Sequence, residues 1–406
     1  MAKNCLVAQS GGPTAVINAS VSGILDANIK YKEFEKIYGA KNGIEGVIDG
    51  KLIELSHLTK DEIDLLKLTP SSALGSCRHK MKGFEEDEKE YRMILETLEK
   101  YDIDTFFYIG GNDSMDTVHK LSLYVKNKGI DKKIIGIPKT IDNDLMETDF
   151  TPGFGSAAKY IATTVLETYL DASVYKDNGV FIVETMGRDA GWLASSSALA
   201  KIDGKSVVDF IYLPENPFDK EKFLTDVRAC YENKKQVYIV ASEGLKDANG
   251  DYVFKSNAIE VHDKFAHAQL GGVGSYLKSI IEQANITHRI KVLELGTAQR
   301  AAMHCASLTD VNVSHLCGYR AYEMLLEGKS GFMAGIKIKS KDPFETEIVE
   351  IDPSLVANKV KEIPKEWITD NFIKEELIEY LNPLIQGQPS IKLENGLPKY
   401  IKFNIR

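Results

Sequence analysis

Short apolar runs rich in β-branched residues alternate along the chain with stretches of helical periodicity. The runs are NCLVAQS (4–10), TFFYIGG (105–111), KIIGIPKT (133–140), GVFIVETMG (179–187), QVYIVASEG (236–244) and KVLELGT (291–297). Amphipathic stretches such as DEKEYRMILETLEKYD (87–102) and SYLKSIIEQANI (275–286) lie between or beside them. This alternation predicts βαβ units and a parallel sheet covered by helices.

Polar clusters follow these apolar runs directly, at 9–13, 110–114, 138–144, 186–191, 242–244 and 296–300. Ligands of open α/β sheets bind outside the carboxyl ends of the strands. The clusters therefore predict one or two active-site rims that face each other across two domains.

Composition narrows the function classes. The chain has 406 residues, enough for two domains, with 43% hydrophobic and 27% charged residues. No apolar run approaches the roughly 20 residues of a membrane helix, so no membrane partner is expected. The net charge of −9 argues against nucleic acid as a partner. Five scattered cysteines predict neither disulfides nor structural zinc, and the first residues lack a secretory signal, which predicts the cytoplasm.

The segment GIPKTIDNDL (136–145) carries the densest chemistry. If it leaves its strand extended, Thr140, Asp142 and Asp144 share one face, while Ile141 and Asn143 point away. A hydroxyl beside two carboxylates suits a general base next to a group that organises Mg²⁺. The alternative is a turn with solvated acids. Lys139 favours the catalytic interpretation, because a cation beside two carboxylates fits a bound phosphate.

Glycine-rich segments are less specific. Residues 10–12 lead into a predicted helix and could bind an anion, although a tight turn alone explains them equally well. Residues 153–158 satisfy G-x-G-x-x-A but follow no buried strand, which disfavours a dehydrogenase. The sequence has neither the P-loop pattern nor the loops of protein kinases.

In order and spacing, the segments SGGPTAVINA, LGSCRH, IGGNDS, IPKTIDND, ETMGRDAGW, SEG and LGTAQR resemble the phosphofructokinase family, specifically its pyrophosphate-dependent branch. The resemblance implies two Rossmann-like three-layer α/β/α domains with mainly parallel sheets and the active site in the cleft between them. Residues 1–154 and 299–349 would form the phosphoryl-donor domain. Residues 155–298 and 350–406 would form the sugar-phosphate domain with a C-terminal tail, which from about residue 340 looks like a capping or interface element.

The resemblance also implies roles for individual residues. Those expected at the chemistry are Asp142 as general base, Lys139, Asp113 and Arg78. Those expected to bind the donor pyrophosphate are Gly12, Gly111, Ser114 and Lys139. Those expected to bind fructose 6-phosphate are Thr140, Asp142, Met186, Gly187, Arg188, Glu243, Lys291 and Arg300. Those expected to hold the cofactor Mg²⁺ are Asn112 and Asp144.

Donor choice is expected to depend on two side chains. The ATP-using branch has glycine at the positions of Asp113 and Lys139. A carboxylate at 113 adds bulk and negative charge where the α-phosphate of ATP would lie, whereas Lys139 can neutralise the shorter pyrophosphate. The expected reaction is reversible transfer from pyrophosphate to the C1 hydroxyl of fructose 6-phosphate. The alternatives are an ATP-dependent 6-phosphofructokinase and a non-catalytic sugar-phosphate sensor.

Several positions depart from the family pattern. Asn112 replaces an aspartate, Gly179 and Lys291 replace arginines that a partner subunit supplies in related tetramers, and Thr297 replaces a His or Tyr. The grip on the 6-phosphate is therefore altered, and another acceptor such as sedoheptulose 7-phosphate stays open. A homodimer or homotetramer is expected. Ser22 and Asp26 stand where allosteric relatives carry effector-binding arginines, which predicts little regulation.

Overall fold

A computed structural model describes residues 3–254 and 270–403 of the chain. Its strands, in chain order, are β1 Lys3–Gln9, β2 Phe34–Ala40, β3 Leu52–Glu54, β4 Ile103–Gly110, β5 Lys133–Pro138, β6 Gly179–Thr185, β7 Lys201–Ile202, β8 Lys205–Ser206, β9 Phe210–Tyr212, β10 Gln236–Ser242, β11 Ile290–Glu294, β12 Phe332–Lys341, β13 Phe344–Ile351, β14 Leu393–Glu394 and β15 Leu397–Pro398. Its helices are α1 Ile17–Tyr31, α2 Gly43–Ile48, α3 Lys60–Lys67, α4 Lys89–Lys100, α5 Asn112–Asn127, α6 Phe154–Ala172, α7 Trp192–Ser195, α8 Lys220–Lys234, α9 Val273–Gln283, α10 Ala298–Ala301, α11 Leu308–Leu326 and α12 Glu375–Leu381.

Two sheets organise these elements. The larger one has seven strands in the order β13-β12-β5-β4-β1-β2-β3, and its central strands run parallel while the outermost strand at each edge runs antiparallel. The smaller one has four parallel strands in the order β11-β6-β10-β9. The predicted α/β fold class with mainly parallel sheets is confirmed.

All six apolar runs form strands, and the two amphipathic stretches form α4 and α9. Burial of Tyr91, Ile94, Leu95 and Leu98 gives α4 the apolar face that its spacing predicts. The interpretation of residues from about 340 as a capping element was wrong at its start, because β13 extends the larger sheet through residue 351.

Helices α1 and α11 pack backbone to backbone beside the larger sheet. A Cβ atom added to Gly23 would lie 2.1 Å from the carbonyl oxygen of His315, and one added to Gly318 would lie 1.9 Å from that of Ser20. Only glycine permits this approach. At the start of α11, Ser307 caps the helix by accepting a hydrogen bond from the backbone N–H of Asp310.

The buried carboxylate of Asp310 joins α11 to α6. It accepts hydrogen bonds from the backbone N–H groups of Gly153 (3.0 Å) and Ser156 (2.9 Å) at the first turn of α6. Burial raises the pKa of Asp310 to about 6. The positive end of α6 therefore already holds an internal anion. Because this turn is the G-x-G-x-x-A segment, the contact agrees with the prediction that it is not a dinucleotide site.

Within residues 3–254 and 270–403, no helix combines the length and apolar character needed to cross a lipid bilayer.

Candidate active site

A cavity of about 460 Å³ lies where the carboxyl ends of β1, β4 and β5 in the larger sheet face those of β6 and β10 in the smaller sheet. Most of the predicted site residues line it, namely Gly12, Arg78, Gly111, Asn112, Asp113, Ser114, Lys139, Thr140, Asp142, Asp144, Met186, Arg188, Glu243 and Arg300. Two predicted residues, Gly187 and Lys291, do not. The strand–turn pattern therefore located the site, because parallel strands deliver their following turns to one edge of a sheet.

The glycine turn after β1 brings cations from both sides of the cavity together. Gly11 has a φ of 76°, and its N–H donates to the carbonyl of Cys77 at 3.0 Å. The ammonium of Lys139 donates to the carbonyl of Gly12 at 2.9 Å. A Cβ atom on Gly12 would lie 3.0 Å from Nη1 of Arg300. A side chain at position 12 would therefore occupy space next to that guanidinium.

Lys139 is buried, with 3% of its surface exposed. Its pKa is lowered to about 8, mainly by burial and also by the nearby charges of Arg300 and Arg78, while the charges of Asp142 and Asp144 oppose the shift. Burial and the charge of Arg78 also lower the pKa of Arg300. Cations that destabilise one another in the free protein are stabilised by a polyanion placed between them. The cavity is therefore suited to bind phosphate groups.

The acidic segment after β5 is a turn rather than an extended strand. Thr140 Oγ1 donates to Asp142 Oδ2 at 3.3 Å and accepts from the backbone N–H of Asp142 at 3.1 Å. Asn143 has a φ of 55°, so the predicted regular alternation was wrong. Thr140, Asp142 and Asp144 nonetheless line the cavity together with Ile141, while the buried Asn143 donates to the hydroxyl of Tyr380 at 2.8 Å.

Burial raises the pKa of both Asp142 and Asp144. For Asp144 the charge of Asp142 adds to this effect, whereas for Asp142 the hydrogen bond from Thr140 and the charge of Lys139 oppose it. A carboxylate with a raised pKa accepts a proton more readily than an exposed one does. The pair therefore provides a base whose pKa is raised mainly by burial in the cavity wall.

Asp113 lies in the first turn of α5, and its Oδ1 is 3.6 Å from the ammonium of Lys80. A carboxylate is favoured at the positive end of a helix. Lys80, which sequence reasoning missed although it follows the LGSCRH motif directly, partly offsets the charge of Asp113. The side chain of Asp113 therefore adds bulk to the cavity lining, while its charge is partly paired.

Asn112 contacts the later part of the chain. Its amide nitrogen donates to the carbonyls of Val356 (3.4 Å) and Lys359, and its amide oxygen accepts from the N–H of Asn358. This arrangement does not support the prediction that Asn112 holds Mg²⁺, because its amide is engaged by backbone groups.

Asp144 is the predicted metal residue that fits such a role. Mg²⁺ is commonly held by one or two carboxylates together with substrate phosphates and water. Asp144 and Asp142 line the same cavity, and a cation bound near them would offset the repulsion between their carboxylates. Among the described residues, no three His, Cys, Asp or Glu side chains form a complete metal cage. These carboxylates therefore fit a metal ion that takes its remaining ligands from bound phosphate and water.

The opposite wall of the cavity is built by the turns after β6 and β10. The N–H of Met186 donates to Gln299 Oε1 at 3.2 Å, and the N–H of Glu243 donates to the carbonyl of Thr185 at 2.9 Å. Burial, followed by the charge of Asp142, raises the pKa of Glu243 to about 7. A carboxyl group that titrates near neutrality can accept from or donate to a sugar hydroxyl.

Gly187 and Lys291 lie off the cavity for different reasons. Gly187 has a φ of 128°, and its carbonyl accepts a hydrogen bond from the hydroxyl of Ser242, so it shapes the turn that presents Met186 and Arg188. Lys291 is exposed on the edge strand β11, 3.3 Å from Asp171. The predicted direct contact of Gly187 with substrate is therefore not supported. A role for Lys291 in a neighbouring subunit stays a prediction.

The backbone explains why position 179 has no arginine. Gly179 has a φ of 77°, and a Cβ atom there would lie 2.0 Å from the carbonyl oxygen of Arg289. Any other residue would require the edge of the smaller sheet to move.

Other cavity residues were not found from the sequence. Lys80, Asp189, Asn358 and Val360 all line it. Asp189 lies inside the ETMGRDAGW motif, so the motif gave a signal for it. Asn358 and Val360 carry no recognisable pattern, since they reach the cavity only through the folding of the C-terminal part.

Comparisons with known proteins agree with this geometry. A family model described as Phosphofructokinase matches residues 4–325. The chain is 41% identical over 405 residues to a pyrophosphate–fructose 6-phosphate 1-phosphotransferase of Xanthomonas campestris, covering 98% of this chain and 96% of that protein. It is 39% identical to the protein of the same name from Methylococcus capsulatus, with the same coverage. A crystal structure of a pyrophosphate-dependent phosphofructokinase from Nitrosospira multiformis superposes with a TM-score of 0.88 at 36% identity, covering 99% of this chain and 96% of that one.

Proposed function

The chain belongs to the phosphofructokinase family, and on this premise we propose that it is a pyrophosphate-dependent 6-phosphofructokinase. It transfers one phosphoryl group from pyrophosphate to the C1 hydroxyl of fructose 6-phosphate, which gives fructose 1,6-bisphosphate and phosphate. The transfer is reversible, because the phosphoryl groups of donor and product differ little in free energy. Relatives that share about two fifths of its residues over nearly their full length carry the name of this activity.

The observation that carries the choice of donor is the pairing of Asp113 and Lys139 in one cavity. Asp113 occupies space beyond the phosphates of a short donor, while the buried ammonium of Lys139 lies beside the glycine turn. Pyrophosphate gains the cationic contact without meeting the carboxylate, whereas a nucleoside triphosphate must meet both.

Asp142 acts as the general base in the proposed mechanism. Thr140 orients its carboxylate, and enclosure raises its pKa, so that it can take the proton of the C1 hydroxyl as the oxygen attacks phosphorus. Lys139 and Arg78 hold the phosphates in line and stabilise the charge on the transferring group and on the leaving phosphate. In the reverse direction Asp142 returns the proton.

We assign the cofactor Mg²⁺ to the neighbourhood of Asp144, with Asp142 beside it. When bound, Mg²⁺ would screen negative charge on the phosphate oxygens. Within the chain itself, Asp144 keeps a second carboxylate facing the cavity, and burial together with the charge of Asp142 raises its pKa.

The acceptor side follows from the turns after β6 and β10. Arg188 and Arg300 provide positive charge for the 6-phosphate, and Met186 and Glu243 contact the sugar. We propose that residues 1–154 and 299–349 form the donor part and residues 155–298 and 350–406 the sugar part. The homo-oligomeric state and the cytoplasmic location expected from the sequence stay predictions.

We also propose that anionic effectors regulate the activity of this chain only weakly. Asp26, at an effector position of allosteric relatives, accepts a hydrogen bond from Lys60 at 2.6 Å and lies 2.9 Å from Nε2 of His315. An acidic group that is already paired offers no attraction to an anionic effector.

A grid of donors against acceptors tests the proposal. Pyrophosphate and ATP are each assayed with fructose 6-phosphate and sedoheptulose 7-phosphate, in the presence of Mg²⁺. We expect turnover with pyrophosphate and fructose 6-phosphate, and little with ATP. Comparable efficiency with ATP would overturn the role given to Asp113, and the absence of turnover with every pair would favour a sugar-phosphate sensor.

A further inference from the structure

The C-terminal part of the chain contributes a stretch that connects the two sheets along the active-site cavity. Residues 356–363, called here the crossing segment, begin beside Asn112 at the start of α5. The N–H of Lys361 donates to the carbonyl of Asp144 at 2.8 Å, and its carbonyl accepts from the indole nitrogen of Trp192 at 2.8 Å. The N–H of Ile363 then donates to Glu215 at 3.1 Å. The segment is therefore anchored on the donor side, at the acidic turn and on the sugar side.

The side-chain amide of Asn112 forms hydrogen bonds with three backbone groups of the crossing segment. Its NH₂ group donates to two carbonyls, those of Val356 and Lys359, and its C=O group accepts from the N–H of Asn358. An aspartate of the same shape could accept from that N–H but could not donate to either carbonyl, and its charge would face both of their oxygens. The amide is thus the group that this position needs in order to hold the segment.

Asn358 links the crossing segment to Asp113, the residue proposed to exclude long donors, through Lys80. It takes a left-handed conformation, with a φ of 58°, which asparagine tolerates better than most residues. Its Nδ2 donates to Asp116 at 3.2 Å, and its Oδ1 accepts from Lys80 at 3.4 Å. The same ammonium of Lys80 is 3.6 Å from Asp113. A continuous set of contacts therefore runs from the crossing segment through Lys80 to Asp113.

Asn358 and Val360 also line the cavity, and Asn358 lies beside Asn112. We propose that the crossing segment is a wall of the donor site, and that Asn112 and Asn358 are positioning residues that determine donor length. They hold the wall in place and keep Asp113 oriented through Lys80. A donor that continues beyond its second phosphate meets this wall as well as the carboxylate. The inference rests on the proposed function, since it concerns the same donor site.

The test measures the effect of Asn112→Asp on donor use. The variant keeps the shape but loses two donated hydrogen bonds, so we expect KM for pyrophosphate to rise at least about tenfold. KM for fructose 6-phosphate should stay within about twofold, because the sugar side keeps its contacts. The ratio of kcat/KM for ATP to that for pyrophosphate should rise by about tenfold or more as the wall loosens.

Asn216→Asp is the matched control. Asn216 holds another part of the C-terminal region in the same way, with its amide nitrogen donating to the carbonyls of Thr369 (2.6 Å) and Asp370 (3.4 Å), but it does not line the active-site cavity. A loss of general stability would appear in both variants, whereas a shift in donor kinetics should appear only in Asn112→Asp.

Asn358→Gly provides a second arm if Asn112→Asp does not fold. Glycine keeps the left-handed backbone and removes only the side-chain contacts with Lys80 and Asp116, so KM for pyrophosphate should again rise selectively. Unchanged donor kinetics in both variants would overturn the inference. So would a lower Mg²⁺ requirement in Asn112→Asp at unchanged KM for pyrophosphate, which would make position 112 a metal-facing one. A wild-type enzyme that prefers ATP would instead refute the proposed function, and the inference with it.

Discussion

The proposed donor side and the proposed sugar side of the cavity differ in how many of their expected residues line it. On the donor side, the glycine turn, Arg78, Asp113 and Lys139 all line the cavity. On the sugar side, Met186, Arg188 and Glu243 do so, while Lys291 lies on an exposed edge strand and position 179 cannot carry a long side chain. Residues 356–363 also contribute Asn358 and Val360 to the lining of the cavity.

This difference has a physical consequence. A small, highly charged donor must be surrounded by cations in a closed pocket, because electrostatic interactions are strong only where water is excluded. A sugar phosphate is larger and can be held partly by exposed groups. Changes on the donor side should therefore affect donor kinetics alone, and changes on the sugar side should affect acceptor kinetics alone.

Asp142 belongs to neither side, and its loss should have the largest effect. Asp142→Asn keeps the shape and removes the base, so kcat should fall on the order of 10³-fold in both directions of the reaction. Binding of fructose 6-phosphate, measured by calorimetry, should be retained. Turnover close to that of the wild type would contradict the assignment of the base.

Lys139 tests the donor side. Lys139→Met keeps much of the side-chain volume and removes the charge, so kcat/KM for pyrophosphate should fall about 10²- to 10³-fold. Steady-state kinetics with each substrate varied in turn will show whether the loss follows the donor. A rise of similar size in KM for fructose 6-phosphate would contradict the expectation that changes on the donor side affect donor kinetics alone.

Arg188 provides the complementary test. Arg188→Ala should raise KM for fructose 6-phosphate on the order of 10- to 100-fold, as expected for a lost charge-assisted hydrogen bond. KM for pyrophosphate should change little. An equal rise for both substrates would mean that Arg188 serves the transferring phosphate rather than the 6-phosphate.

The pH dependence sharpens the role of Lys139. Its pKa is lowered to about 8, mainly by burial, so its positive charge is complete below that pH and is lost as the pH rises through it. The value of kcat/KM for pyrophosphate should therefore fall above pH 8, by about tenfold per pH unit. Lys139→Arg should move this decline upwards, because a guanidinium stays charged. An unchanged decline in that variant would show that another group causes it.

Lys291 should give the smallest effect. Lys291→Ala removes an exposed pair with Asp171, so KM for fructose 6-phosphate should rise only about twofold to fivefold if a neighbouring subunit uses the ammonium. Sedimentation analysis of the same sample gives its oligomeric state. A kinetic effect in a monomeric enzyme would place Lys291 at its own site after all.

The residues predicted for the donor side come together in one cavity for an identifiable reason. The glycine turn, Asp113 and Lys139 each lie within a few positions of the end of a buried strand, whose apolar run is readable from local pattern. Arg78 lies instead in the loop after α3, and only the resemblance of the LGSCRH segment pointed to it. Once the strands are parallel, the turns must meet. The same reasoning misjudged residues 140–144, because it assumed an extended chain where Asn143 takes a left-handed conformation.

Sequence alone predicted the fold class, the sheet edge at which the polar turns gather and most of the residues that carry charge to it, because apolar runs and the polar turns after them are local patterns along the chain. Only the tertiary structure decided what Asn112 does, because its partner Asn358 lies 246 positions away. Such a contact leaves no periodic trace in the sequence: it exists only after both sheets have packed and the C-terminal part has crossed between them. The same holds for Lys80 and Gly179, because tertiary packing, and not the neighbouring sequence, determines what surrounds each of them.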